Sequence, residues 1–181
     1  GFIGRELRVI ELRLKELLTV KNSSPVVLGV EPTFNTPKFF ENPEIVYIGE
    51  TKIDRPHGKG ICFFKSTHKI IYGDFHNGQL EGQGELYFAT GDYYLGEFRF
   101  DKKEGRGIYN WTGKESNVYE GEFKAGKRNG RGTFWWSDGS WYEGEFRDGV
   151  QSGWGGLYRE GGHKEYEGNW HNGMFDGKGT Q

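Results

Sequence analysis

From Tyr47 onward the chain alternates apolar and polar positions with a period of two residues. In one typical stretch Tyr119, Gly121 and Phe123 alternate with Glu120 and Glu122. Because successive side chains of a β-strand point to opposite faces, this pattern predicts a strand with aromatic residues and glycine on one face and glutamate on the other.

The second strand of the same stretch continues the alternation. It is predicted to place four residues on one face: Gly130, Gly132, Phe134 and Trp136. Between the strands lie pairs that readily adopt positive φ, such as Asn77-Gly78, Asp148-Gly149 and Asn172-Gly173. The pattern therefore predicts β-hairpins joined into a continuous meander.

One glycine recurs at the centre of the first strand in six successive copies. These glycines are Gly49, Gly73, Gly96, Gly121, Gly144 and Gly168. They are spaced by 24, 23, 25, 23 and 24 residues, and a Gly-x-Gly begins nine residues after each of them. Self-similarity at such a regular spacing predicts a repeat architecture. We interpret residues 46–181 as an array of about six hairpins, with the second strand of the last one cut short.

Glycine inside a strand requires a reason, because it weakens the strand. We expect each glycine to leave a slot in which a ring from the neighbouring strand lies against the backbone. In this interpretation the rings of one repeat stack over the glycines of its neighbour. Single hairpins are marginally stable in water, so adjacent repeats must stabilise one another.

The motif Tyr-x-Gly-x-Phe/Trp followed by Gly-x-Gly resembles the MORN repeat (membrane occupation and recognition nexus). Tyr119 to Phe123 with Gly130-Arg-Gly132 matches it in full, as does Tyr142 to Phe146 with Gly153-Trp-Gly155. The first copy departs with Thr51 at the second aromatic position, and the second copy departs with Ile71 at the tyrosine position.

The resemblance implies an elongated, twisted single-layer β-array that carries no catalytic chemistry. Members of the family act as scaffolds in axonemal radial-spoke heads and as membrane tethers in junctophilins, and the repeats also accompany catalytic domains. The resemblance thus implies an intracellular, cytoplasmic protein, with the cytoskeleton or cilium as a candidate setting.

The segment before the repeats has a different pattern. An apolar stripe with heptad-like spacing predicts an amphipathic helix over residues 1–22; it comprises Ile3, Leu7, Ile10, Leu14 and Leu17. This helix either packs on the protein's own sheet, or binds a partner helix or a second copy through the stripe, or lies on a membrane surface. Four of the five prolines fall within residues 23–45, which predicts an extended linker or cap.

Composition and charge narrow the function classes. Aromatic residues make up 17% of the chain although only 34% of it is hydrophobic, which favours an aromatic core. The net charge of −2, with acidic and basic residues interspersed, argues against nucleic acid as a partner and makes membrane attachment the weaker alternative.

The sequence contains no complete motif for catalysis or for binding a cofactor. Residues 121–127 read Gly-x-x-x-x-Gly-Lys, but Arg128 stands where a phosphate-binding loop needs Ser or Thr. The histidines lack the spacing of metal ligands, and Cys62 occupies an apolar repeat position, where a buried side chain is expected. We therefore expect no enzyme activity, no cofactor and no metal.

The pattern favours a scaffold whose aromatic surface binds a helical or extended segment of a partner protein, since aromatic residues dominate interface energetics. The candidate binding residues are Tyr94, Trp111, Tyr119, Trp136 and Tyr142. The glutamate column formed by Glu97, Glu122 and Glu145 is either a solvated face or a strip for basic partner residues. A membrane or phosphoinositide attachment module, and a regulatory array of a larger enzyme, remain the alternatives.

Overall fold

A computed structural model describes residues 38–180 of the chain, all of whose regular elements are β-strands. The thirteen strands are β1 (Lys38–Glu41), β2 (Ile45–Lys52), β3 (Arg55–Phe64), β4 (Lys69–His76), β5 (Gln79–Tyr87), β6 (Tyr93–Arg99), β7 (Lys102–Asn110), β8 (Val118–Lys124), β9 (Lys127–Trp135), β10 (Trp141–Arg147), β11 (Val150–Tyr158), β12 (Lys164–His171) and β13 (Met174–Thr180). They fall into two compact units that divide between Gly91 and Asp92.

Within each unit the strands form one open antiparallel sheet in which spatial order follows chain order, β1 to β5 in the first and β6 to β13 in the second. The prediction of a meander of hairpins is confirmed. The predicted helix over residues 1–22 lies outside the described residues. The end of the predicted linker forms a strand, because Lys38–Glu41 pairs with Val46–Gly49.

The hairpin within each repeat closes through two residues that both have positive φ. Asn77-Gly78, Asp148-Gly149 and Asn172-Gly173 confirm the predicted turns, with φ near 50° at the first residue and between 77° and 93° at the glycine. Two positive φ values in a two-residue loop match the right-handed twist of the flanking strands. Ala125-Gly126, Ile53-Asp54 and Phe100-Asp101 close the remaining hairpins in the same way, although Ile and Phe gave no sequence signal for such a conformation.

A β-bulge interrupts each hairpin at the first glycine of its Gly-x-Gly. In β8 and β9 the register shifts between Gly121 and Phe123, and Gly130 has a φ of 98°. The carboxylate of Glu122 accepts the N–H of Arg131 at 3.1 Å. The same bond forms from Lys59 to Glu50, Arg106 to Glu97 and Trp154 to Glu145. The glutamate column thus satisfies backbone amides at the bulges. This role differs from both interpretations of the sequence, a solvated face and a strip for basic partner residues.

The repeat glycines form a continuous column across the strands of each unit. Gly121 faces Gly132 within its hairpin, and Gly107 and Gly144 lie opposite these two in the flanking hairpins. The Tyr119 ring lies over this column, since a Cβ built on Gly132 would be 2.5 Å from its Cε2. The expected slot exists, but the ring that fills it comes from the same repeat and not from its neighbour.

Contact between neighbouring repeats comes instead from aromatic pairs. The Tyr119 ring meets Phe123 of its own repeat edge-on at a centroid distance of 5.2 Å and Phe146 of the next repeat at 5.0 Å. Tyr94 packs edge-on against Phe98 and Phe123 in the same way. Tyr142 packs edge-on against Phe146 and Trp170. Edge-to-face pairs at this distance stabilise beyond the area they bury, so within β6 to β13 this aromatic ladder links each repeat to the next.

The two units differ on the face that points away from these tyrosines. In the first unit this face is apolar and buried, with a cluster of Val46, Ile48, Ile61, Phe63 and Ile70. In the second unit it carries exposed side chains, including Glu120, Glu143 and Trp154. The strict alternation expected from Tyr119 to Phe123 therefore holds in the second unit and not in the first.

We expect Gly132→Ala to lower the free energy of unfolding by about 3 kcal/mol, because its Cβ would overlap the Tyr119 ring in a site with no free volume. Chemical denaturation of the full chain measures this. The control is Gly113→Ala, whose Cβ would have no atom within 4 Å; it should change stability by less than about 0.5 kcal/mol. Equal losses in the two variants would contradict the packing described above.

Candidate partner-binding surface

The tyrosines proposed from the sequence as binding residues lie inside the array. Tyr94, Tyr119 and Tyr142 have no exposed surface. Each hydroxyl donates a hydrogen bond to the backbone carbonyl three residues later, at 2.9 Å for Glu97, 2.9 Å for Glu122 and 2.8 Å for Glu145. Their rings and hydroxyls are thus engaged with the backbone, and they support the surface above them.

We call the side of β6 to β13 that carries Tyr94, Tyr119, Tyr142 and Tyr166 the tyrosine face. Trp111 and Trp136 lie on it, both partly exposed. Trp111 contacts Phe134 at a centroid distance of 5.5 Å, and Trp136 contacts the same ring at 5.0 Å. Of the five candidate residues, these two present an accessible ring held by packed neighbours.

Two basic side chains also lie on the tyrosine face. The Nζ of Lys103 is 4.4 Å from the centroid of Tyr109 and 5.5 Å from that of Phe123. The Arg128 guanidinium lies 5.0 Å from Phe134 and 5.7 Å from Trp111. Both residues lie near hairpin tips, where the side chains of lysine and arginine are ordinarily solvated.

Burial lowers the pKa of Lys103, and the neighbouring positive charge of Arg128 lowers it further. Burial likewise lowers the pKa of Arg128, partly offset by Tyr119. Both directions indicate cations that have lost water without gaining a carboxylate, since an adjacent carboxylate would raise these pKa values.

A cleft of about 530 Å³ opens on the same face towards β13. Its walls combine aromatic and apolar side chains with a few polar ones: Trp136, Asp138, Ser140, Gln151, Leu157, Arg159, Trp170, Gly173, Met174 and Phe175. Met174 and Phe175 are 68% and 50% exposed. A concave apolar surface with scattered polar groups is typical of a binding site.

The cysteine, the histidines and the glycine-rich segment were the candidates for catalytic or metal chemistry. Cys62 is buried, as expected of its apolar position. The fold brings His57 and His76 together with a centroid distance of 4.9 Å, a proximity that spacing alone did not predict. Among residues 38–180, no group of three potential ligands could hold a metal ion. Gly121 to Lys127 spans the β8–β9 hairpin and therefore lacks the strand-to-helix setting of a phosphate-binding loop.

Comparison with known families agrees with this geometry. The family model for the MORN repeat matches six segments, residues 47–68, 72–93, 94–114, 119–141, 142–161 and 166–181. The chain therefore belongs to the MORN repeat family, and the sequence resemblance is confirmed. Its repeats are scaffold or binding modules. A search of curated proteins returned no match. Within the described part of the chain, no helix has the length and apolar character required to cross a membrane.

Burial also sets the titration of the tyrosines. It raises the pKa of Tyr119 to about 12, with Arg128 opposing the change and Glu122 adding to it. Burial raises the pKa values of Tyr47, Tyr94 and Tyr142 further above the ordinary value of 10.0. The neutral phenol is favoured because the ring is removed from water.

We expect the array to lose stability as the pH rises from about 10 to about 12. In this window tyrosines of the unfolded chain are ionised while those of the folded chain keep their protons, so the unfolded state binds fewer protons and stability falls with pH. Lys103, with its lowered pKa, acts in the opposite sense, but only up to its ordinary value of 10.5.

Urea denaturation across this pH range, followed with tyrosinate absorbance, measures the effect. Tyr119→Phe should reduce the pH dependence, since it removes one of the perturbed hydroxyls. Tyrosinate formation near pH 10 in the folded protein, with stability unchanged, would show that these hydroxyls are not protected.

Proposed function

We propose that the protein is a non-enzymatic scaffold whose tyrosine face binds a helical or extended segment of a partner protein. The observation that carries the proposal is the combination, on one face, of fully buried tyrosines and partly exposed tryptophans. The buried rings hold the sheet, and the tryptophans with the cleft beside β13 provide the contact surface.

The rigidity of this surface favours tight binding. Trp111 and Trp136 both pack on Phe134, which itself is buried. Side chains that are already ordered lose little conformational entropy when a partner binds. Aromatic residues held in this way are the commonest binding hot spots, so these two tryptophans are proposed to contribute most of the affinity.

The repeat geometry favours an elongated partner segment. Successive hairpins advance the face by about 10 Å, at two strand spacings of ~4.8 Å each, and present equivalent positions each time. A helix or an extended strand running across the hairpins meets these positions at regular intervals. An assembly of the cytoskeleton or axoneme, inside the cell, is proposed as the setting; its support is the family resemblance.

Membrane attachment is the second candidate, because members of this family interact with proteins or with membranes. The two cations on the tyrosine face are the observation that favours it. Exposed acidic residues at neighbouring hairpin tips, Asp101 and Asp148, oppose it, since an anionic surface would repel them. A regulatory array within a larger enzyme is compatible with the same binding surface.

The proposal is tested by selecting binders to the full chain from a displayed library of random peptides and measuring the affinity of the selected sequences. We expect the double variant Trp111→Ala/Trp136→Ala to weaken binding by at least about tenfold, as truncated hot spots do. Trp135→Ala/Trp154→Ala removes two exposed rings from the opposite face and is the matched control.

Equal losses in the two double variants would contradict the assignment of the face. Failure to select any peptide, together with recruitment to vesicles that contain phosphatidylserine, would instead support the membrane candidate.

A further inference from the structure

Lys103 and Arg128 occupy equivalent positions in successive hairpins. Each lies two residues before the first glycine of its Gly-x-Gly and pairs across the hairpin with the repeat phenylalanine, Phe98 for Lys103 and Phe123 for Arg128. Equivalent positions of adjacent hairpins are separated by two strand spacings, about 10 Å. The two cations therefore form a pair with a defined separation across the tyrosine face.

The array does not require a cation at this position. The equivalent residues are Leu80 in β5, Gln151 in β11 and Phe175 in β13. Leu80 is fully buried, and its Cδ1 would lie 2.8 Å from a Cβ on Gly73, so an apolar side chain fills the site well. Partly burying a charge in its place has a desolvation cost, which calls for a compensating interaction.

The described residues compensate through cation–π contacts and one hydrogen bond but supply no carboxylate. The Arg128 guanidinium donates to the carbonyl of Gly149 and otherwise contacts aromatic rings. In the described part of the chain the Lys103 ammonium lies near the rings of Tyr94, Tyr109 and Phe123. No carboxylate of residues 38–180 forms an ion pair with either one.

Of the acidic groups near these cations along the chain, Asp101 is exposed at a hairpin tip, and three others accept backbone N–H groups. Glu104 accepts the N–H of Ala125 at 2.9 Å, and Glu97 accepts the N–H of Arg106 at 3.1 Å. Glu122 is held at the next bulge by the N–H of Arg131. These carboxylates satisfy the backbone at turns and bulges, which leaves both cations able to pair with a carboxylate of a ligand.

We propose that the tyrosine face recognises an acidic segment of a partner protein, in which two carboxylates spaced about 10 Å apart bind Lys103 and Arg128. This inference rests on the proposed function and specifies its partner. In a helix the spacing corresponds to residues i and i+7, at a rise of about 1.5 Å per residue. In an extended segment of the polyproline II type, which has three residues per turn, it corresponds to i and i+3, at about 3.1 Å per residue.

The rings around the cations favour a peptide over a lipid headgroup. Tyr109, Trp111 and Phe134 lie beside Lys103 and Arg128, so the surface offers apolar contacts between and beside its two charges. A segment that carries apolar side chains between and beside its two acidic ones, on the same side, matches this arrangement. A phosphorylated headgroup would instead be bound by cations clustered around one point.

The test compares peptide selections from one random library on three forms of the full chain: wild type, Lys103→Glu/Arg128→Glu, and Lys124→Glu/Arg131→Glu. The last form changes two exposed charges on the opposite face and is the control. Thermal melts verify that each form is folded; if the first double variant is not, Lys103→Gln/Arg128→Gln replaces it.

We expect wild type and control to enrich peptides with Asp or Glu at i, i+7 or at i, i+3, and the charge-reversed form to enrich Lys or Arg there. A selected acidic peptide should lose at least about tenfold in affinity for Lys103→Gln/Arg128→Gln, and this loss should shrink at high salt. Lys103→Arg/Arg128→Lys should retain most of the affinity.

Selected peptides without acidic residues, bound equally by all forms but weakened by Trp111→Ala/Trp136→Ala, would overturn this inference and leave the proposed function standing. Absence of any selected peptide, with recruitment to phosphatidylserine vesicles that the charge reversal abolishes, would overturn both.

Discussion

The fold depends on the contact between a tyrosine ring and glycine backbone. In the five repeats that have this tyrosine, the ring lies over the second glycine of Gly-x-Gly, and its hydroxyl donates to a backbone carbonyl three residues later. Any Cβ in the glycine column would overlap a ring or the facing backbone, as at Gly121, where Gly132 Cα would be 2.5 Å away. The glycines are therefore fixed by the tyrosines, and both recur with the same spacing.

This contact also determines which residues are free to bind. Since the tyrosines and phenylalanines bury one another in the ladder, a partner meets the side chains that flank it. These are the tryptophans on one side and the column of Lys103, Arg128 and Gln151 on the other. On the tyrosine face the ladder residues recur from copy to copy while the flanking residues vary, and specificity for a partner is proposed to lie in these flanking positions.

Sequence reasoning reached the repeat, the hairpins and three of the turns because each has a local signal. Period-two alternation gives strands, and Asn-Gly or Asp-Gly gives a turn with positive φ. The turn at Phe100-Asp101 had no such signal, since its conformation follows from the register of β6 with β7. The bulge at Gly130 was not predicted either. It shifts the register of β8 with β9 but leaves the period-two alternation of β8 unchanged.

The candidate site was less accessible to sequence. The sequence shows which residues are aromatic but not how exposed each ring is. Only the fold shows that Tyr119 is buried and that Trp136 is partly exposed. The partial burial of Lys103 and Arg128 could not be predicted from the sequence, because the loss of water around them depends on rings from neighbouring strands. The buried second face of the first unit was likewise missed, although Ile48, Ile61 and Ile70 interrupt the polar positions there.

The most direct test of this account is a double-mutant cycle on Tyr119 and Phe146, which belong to adjacent repeats and meet at 5.0 Å. With both residues changed to leucine, singly and together, unfolding free energies should give a coupling of about 0.5–1.5 kcal/mol. A cycle on Tyr94 and Phe146, which lie two repeats apart, should be additive. Additivity between Tyr119 and Phe146 as well would contradict the claim that the aromatic ladder joins the repeats into one binding surface.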